Sequence, residues 1–200
     1  MTTDADFQSG DIIAFGGGND PLDFLIKLFS HSKVTHCGMV IPQSLNVDGK
    51  PQTERHIIES TILNGVNGVQ INPLAQRIAT CGDPRIWNLQ LSHAVYEFLD
   101  WDAVWSFAMG RAGRDKYNVL ELGAYVMRDV PLVQDLPIWY KPNSHEEVCS
   151  ELVAELLAAG GLPGLRPYET SPQAIAELRI YADCLQVAGK PATIRRFNSQ

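Results

Sequence analysis

The run Val148-Cys-Ser-Glu-Leu-Val-Ala-Glu-Leu-Leu-Ala-Ala159, followed by Gly160-Gly161, constrains this chain more than any other segment. It reads as a strong helix from Cys149 to Ala159, stopped by two glycines that are free to turn the backbone away. Cys149, Leu152, Val153 and Leu156 recur at i, i+3, i+4 spacing and so share one face. An apolar stripe of this kind must be covered by another layer, and the strand-like segments supply one. Asp11-Ile-Ile-Ala-Phe15 is a short apolar run ending in three glycines, as a buried strand would be. His36-Cys-Gly-Met-Val-Ile41 is stopped by Pro42. His56-Ile-Ile-Glu59, Val69-Gln-Ile71 and Arg85 to Leu91 are further strands. Asn19 or Asp20 caps a helix over 21–30, and Asp48-Gly49 makes a turn. Ser92 is expected to cap one helix carrying Val95, Phe98, Leu99, Trp101 and Trp105, with Trp101, Trp105 and Phe98 in the core. A further helix is expected over 117–127, a short one from Ser171-Pro172 to Arg179, and a hairpin of 184–187 with 193–197 around Gly189. With strands at both ends and helices between, the fold class is α+β, with an antiparallel sheet packed against helices.

At 200 residues and 45% apolar composition, a single domain spanning 1–200 with a real core is expected. The net charge of −7 argues against nucleic acid or anionic lipid as the main partner. No apolar run reaches the ~18 residues that stable membrane insertion needs. The start, MTTDADFQSGD, is acidic and polar rather than leader-like, so the expected location is cytoplasmic, or secreted without a signal peptide. Cys37, Cys81, Cys149 and Cys184 are too widely spaced for a zinc knuckle or a disulfide frame. His31, His36 and Cys37 lack a fourth ligand, so neither a metal nor another cofactor is expected. Gly16-Gly-Gly18 lacks the ending of a phosphate loop. His93 and His145 read as solvated residues at helix starts.

A cysteine nucleophile needs a nearby imidazole, a group that orients the imidazole, and N–H donors for the oxyanion. Cys149 stands at a helix start, His36 opens one strand and Glu59 closes another, so neighbouring strands can bring them together. Each also has a plainer reading: a small core residue, a satisfied strand histidine, a surface carboxylate. Cys37 adjoins His36, but strand alternation sends it to the other face.

The local signatures go further. Gly10-Asp-Ile-Ile-Ala-Phe15, Ser32-Lys-Val-Thr-His-Cys-Gly-Met-Val-Ile41, Ile57-Ile-Glu-Ser60 and Cys149-Ser-Glu-Leu-Val-Ala154 occur in this order. The series resembles the circularly permuted branch of the NlpC-type papain-like cysteine hydrolases, in which the histidine strand precedes the cysteine helix. Gly113-Arg-Asp-Lys-Tyr-Asn118 and Thr170-Ser-Pro-Gln-Ala-Ile175 resemble two further landmarks. The resemblance implies Cys149 as nucleophile, His36 as base and Glu59 as orienter, with the Cys149 backbone N–H as one oxyanion donor. It implies hydrolysis or acyl transfer at an amide or related acyl bond through a thioester.

Tyr117, Trp139 and Tyr140 are the candidate substrate-binding residues, the last two on a Pro-rich rim loop over 130–143. The substrate class is peptide-like or acyl. A cytosolic amidase fits, and so does an exported antibacterial effector that cuts peptidoglycan stem peptides and is partnered by an immunity protein. The rival is a non-catalytic binding module that keeps the papain-like cleft. Its support is Glu146 and Glu147, which are expected to raise the Cys149 pKa. Ser144-x-x-Glu147 is also a candidate capping box, which would start the helix early and leave Cys149 a turn inside.

Overall fold

The computed structural model describes residues 7–16, 33–42, 54–63, 65–81, 85–117 and 146–194. The expectations over 17–30, 43–50, 118–127, 130–143 and 195–197, and those on His31, Trp139, Tyr140, Ser144 and His145, lie outside these residues.

Strands β1 (Ile12–Phe15), β2 (His36–Ile41), β3 (His56–Leu63) and β4 (Val66–Pro73) are followed by helix α1 (Leu74–Thr80) and strand β5 (Ile86–Leu91). Then come α2 (His93–Phe98), α3 (Trp101–Arg111), the short β6 (Lys116–Tyr117) and β7 (Glu146–Glu147), α4 (Cys149–Ala159), α5 (Pro172–Ala176) and β8 (Tyr181–Ala188). The class is α+β. Six strands form one antiparallel sheet in the order β4-β3-β2-β1-β5-β8.

Alternation along the strands gives the sheet two apolar faces. Ile12, Ala14, Cys37, Met39, Ile58 and Leu89 pack with Val104 and Ala108 of α3 and Leu152, Val153 and Leu156 of α4. Ile13, Phe15, Val40, Ile57 and Ile86 pack on the other side with Phe7 and Leu74. Gly38 lets β2 and β3 approach closely, since a Cβ there would stand 2.7 Å from the Ile58 carbonyl oxygen.

Several expectations are corrected. The helix begun at Ser92 breaks at Leu99–Asp100, because Asp100 caps a new helix through its side chain, which accepts from the Ala103 N–H. Phe98, at the end of α2, is 61% exposed rather than in the core, while Trp101 and Trp105 pack against the core as expected. Tyr117 lies in β6 and starts no helix. The helix after Ser171 ends at Ala176. No hairpin forms around Gly189 among the described residues: β8 pairs with β5, and 190–194 carry no strand.

Candidate active site

α4 starts at Cys149 itself, with Val148 as its N-cap and no side-chain cap. This corrects the capping-box expectation. Glu146 and Glu147 form β7, parallel to β6, with Tyr117 opposite Glu147. Extended backbone up to Glu147 prevents an early helix start, so Cys149 takes the first helical position. There its N–H has no intrahelical acceptor, and the positive end of the helix dipole falls on the sulfur. Cys149, Ser150, Glu151 and Leu152 are all buried, so the start of α4 is driven into the sheet.

β2 and β3 pair antiparallel, with Met39 opposite Ile58 and Val40 opposite Ile57. His36 and Glu59 therefore point to the same face, the one that also carries Phe15 and Ile57. Their side chains meet: His36 Nε2 lies 2.6 Å from Glu59 Oε2. Glu59 is wholly buried in mid-strand rather than at a surface strand end. Its carboxylate accepts from three groups. Arg77 Nε–H is shared between Oε1 at 2.8 Å and Oε2 at 3.0 Å. Asn72 Nδ2 donates to Oε1 at 3.0 Å, and His36 takes Oε2. The Arg77 guanidinium also lies 4.5 Å from the centroid of the Phe15 ring, and that ring packs at 5.3 Å from the His36 ring.

His36 opens β2, and at that end of the strand it also hydrogen-bonds Cys149. With Nε2 held by Glu59, Nδ1 is the nitrogen left for the sulfur. Cys37 lies on the opposite face, as alternation requires, but that face is the one α4 covers. Cys37 therefore touches the site: its side chain and its backbone both hydrogen-bond Cys149. The expectation that alternation separates Cys37 from the chemistry is corrected.

The electrostatics follow from these contacts. Hydrogen bonding to Cys37 and the charge and hydrogen bond of His36 hold the Cys149 thiol well below its ordinary value, against the opposing effect of burial. The net direction is downward; the contribution expected of the Glu146 and Glu147 side chains lies outside the described residues. Burial alone would lower the His36 pKa, but Cys149 and then Glu59 push it up to about 9. Burial pushes the Cys37 thiol well up, and the neighbouring Cys149 adds to that. Glu59 sits below the usual carboxylate value: burial opposes the charge, but His36 and Arg77 outweigh it. The arrangement can thus hold a thiolate beside an imidazolium, with a buried carboxylate behind it.

The sequence reading named Cys149, His36 and Glu59, and the fold brings these three together. It places the Tyr117 backbone beside Glu147, two residues before Cys149. It also adds Arg77, Asn72 and Cys37. Arg77 sits on a helix absent from the sequence reading, and the only local signal was a basic residue shortly after Pro73. Among the described residues no three His, Cys, Asp or Glu side chains are grouped to hold a metal ion.

No family model matches this chain. No curated protein matches it either. Among solved structures it is similar to the metalloprotein yiiX from Escherichia coli O157:H7, with a TM-score of 0.49 and 18% identity. The alignment covers 77% of this chain and 66% of that one, so the chain spans slightly less than two thirds of its length. A likeness of that size carries no argument about activity.

Proposed function

We propose that this chain is a cysteine-dependent hydrolase or acyl transferase built on a circularly permuted papain-like fold of the NlpC type. The observation that carries the reading is His36 shared between Cys149 and Glu59, with Cys149 on the first turn of a buried helix. A core cysteine needs none of these partners. A nucleophile needs all of them.

In this reading the Cys149 thiolate attacks the carbonyl carbon of an amide or related acyl group. The carbon–oxygen π electrons move onto oxygen, where the Cys149 N–H and the dipole of α4 stabilise the charge. As the intermediate collapses, the imidazolium of His36 gives its proton to the leaving amine or alkoxide. A thioester is left on Cys149. His36, now neutral, takes a proton from water or an acceptor nucleophile, which attacks the thioester and restores the thiolate. Glu59 keeps the ring turned toward the sulfur and stabilises its charged form. These residues need no metal or cofactor for this sequence of steps.

Peptide-like amides, including peptidoglycan stem peptides, are the first substrates to test, with Tyr117, Trp139 and Tyr140 as the contacts to probe. Either setting, a cytosolic amidase or an exported effector countered by an immunity protein, uses the same chemistry. Among the described residues no helix is long and apolar enough to cross a membrane.

The test is activity profiling on peptidoglycan fragments and acyl substrates, with Cys149→Ala as the control. Cys149→Ala should abolish turnover while circular dichroism stays native. His36→Ala should lose nearly as much, and the double variant should be no worse than Cys149→Ala alone, because the two act as one unit. Full turnover in a folded Cys149→Ala protein would falsify the nucleophile and the reading together. A folded wild type inert on every substrate, with Cys149 no more reactive toward iodoacetamide than Cys37, Cys81 or Cys184, would favour the binding module.

A further inference from the structure

The carboxylate that orients His36 is itself held from behind. Glu59 leaves β3 on the α1 face of the sheet, and α1 delivers Arg77 to it. One N–H of Arg77 straddles both carboxylate oxygens, at 2.8 and 3.0 Å. Asn72 of β4 fixes Oε1 at 3.0 Å, leaving Oε2 to His36 at 2.6 Å. The guanidinium is held in turn by the Phe15 ring, 4.5 Å away, and the same ring lies against His36. A carboxylate with one free torsion could present either oxygen, or neither, to the imidazole. Here both oxygens are occupied on the far side and only one direction is open.

We propose that Arg77 is a positioning residue: braced on Phe15, it locks the Glu59 carboxylate so that Oε2 meets His36 Nε2 and the ring's other nitrogen faces Cys149. The inference rests on the proposed function and adds a residue that neither the sequence motifs nor the triad logic names. Arg77 touches no reacting atom and acts through Glu59.

Its charge has a second consequence. Among the described residues, the charged or titratable groups around Glu59 are His36 from β2, Arg77 from α1 and, beyond the imidazole, Cys149 from α4 with Cys37 beside it. Asn72 from β4 is neutral. Arg77 is the one permanent cation in this group. Removing a cation raises the pKa of every group near it, so loss of Arg77 should move the titration of His36 upward.

The experiment is nuclear magnetic resonance of histidine-labelled full-length protein, with His36 assigned through His36→Gln. In the wild type, His36 should titrate at about 9, and its Nε2 proton should give a sharp downfield resonance from the bond to Glu59. In Arg77→Gln the resonance should broaden or vanish, and the titration should move up by roughly half a unit or more. Arg77→Lys keeps the charge but not the flat face on Phe15. It should leave the titration near the wild-type value while still broadening the resonance. If Arg77→Gln does not fold, Arg77→Lys decides alone through that split.

A sharp resonance in Arg77→Lys, or an unmoved titration in a folded Arg77→Gln, overturns the positioning role. Absence of both signatures in the wild type overturns the proposed function, and this inference with it. The two failures are thus told apart by the wild-type spectrum.

Discussion

Replacement of Glu59 by Gln removes one charge and exchanges one acceptor for a donor. Around a lone His–Glu pair such a change would be mild, because the amide oxygen could still hold the ring. Here every partner of the carboxylate is a donor: His36 Nε2, Arg77 Nε and Asn72 Nδ2. The amide has a single acceptor oxygen. Turned to His36, it leaves its NH2 against the Asn72 amide and the Arg77 N–H. Turned the other way, it aims the NH2 at the imidazole. Either orientation strands a largely buried guanidinium, 11% exposed, without its counter-ion.

Breaking a buried ion pair from one side costs about 3–5 kcal/mol, and in a chain of this size each kcal/mol lowers the melting temperature by about 2–4 °C. Glu59→Gln should therefore melt roughly 10 °C lower than wild type near neutral pH. The pH dependence supplies a sign. Glu59 is held below its ordinary value of 4.5 in the folded protein, so its contribution is present above that value and lost as pH falls through the lower folded value. The gap in melting temperature between wild type and Glu59→Gln should thus narrow as the pH is lowered below about 4.5. Thermal unfolding followed by circular dichroism across this range checks both points. A Glu59→Gln protein that melts with wild type near neutral pH, or a gap that widens in acid, refutes the argument that the carboxylate is pinned by donors.

Cys37→Ala should raise the titration midpoint of the Cys149 thiol, read from thiolate absorbance, because hydrogen bonding from Cys37 is the foremost cause of its low value. An unmoved midpoint would show that His36 and the start of α4 set it without Cys37. Gly38→Ala should lower the urea midpoint by an amount worth about 1–3 kcal/mol, as is typical of overpacking. The added Cβ would stand 2.7 Å from the Ile58 carbonyl oxygen and 2.8 Å from Ile57 Cδ1, which forces β2 away from β3 and His36 away from Glu59. An unchanged midpoint would mean the two strands give way at no cost.

Much of the local structure was written in the sequence. Pro42 ends β2, Gly160-Gly161 ends α4, and Cys149, Leu152, Val153 and Leu156 are buried as their spacing implies, although α4 also buries Ser150, Glu151, Ala154 and Leu157 off that stripe. These are short-range instructions, set by backbone sterics and helical period. The same period reads Val95, Phe98, Leu99, Trp101 and Trp105 as one helix, because the break at Leu99–Asp100 depends on Asp100 capping α3 rather than extending α2. The order of the histidine, glutamate and cysteine motifs named three residues that the fold brings together. It gave no hint of what surrounds them.

Those surroundings are long-range. Arg77 reaches Glu59 across 18 residues of chain, and Asn72 reaches it across 13. Neither pairing has a local period to announce it. β8 pairs with β5, a strand far earlier in the chain, because the sheet edge is completed only once the rest of the sheet exists. Cys37 shows the division most plainly. Alternation correctly turns it away from the His36 face, but which helix covers the opposite face, and that its first residue is Cys149, is a fact of packing. The sequence by itself determined the candidates for nucleophile, base and orienter. Only the tertiary structure decided their electrostatics, because the sign and size of each pKa shift depend on burial and on partners that the linear chain keeps apart.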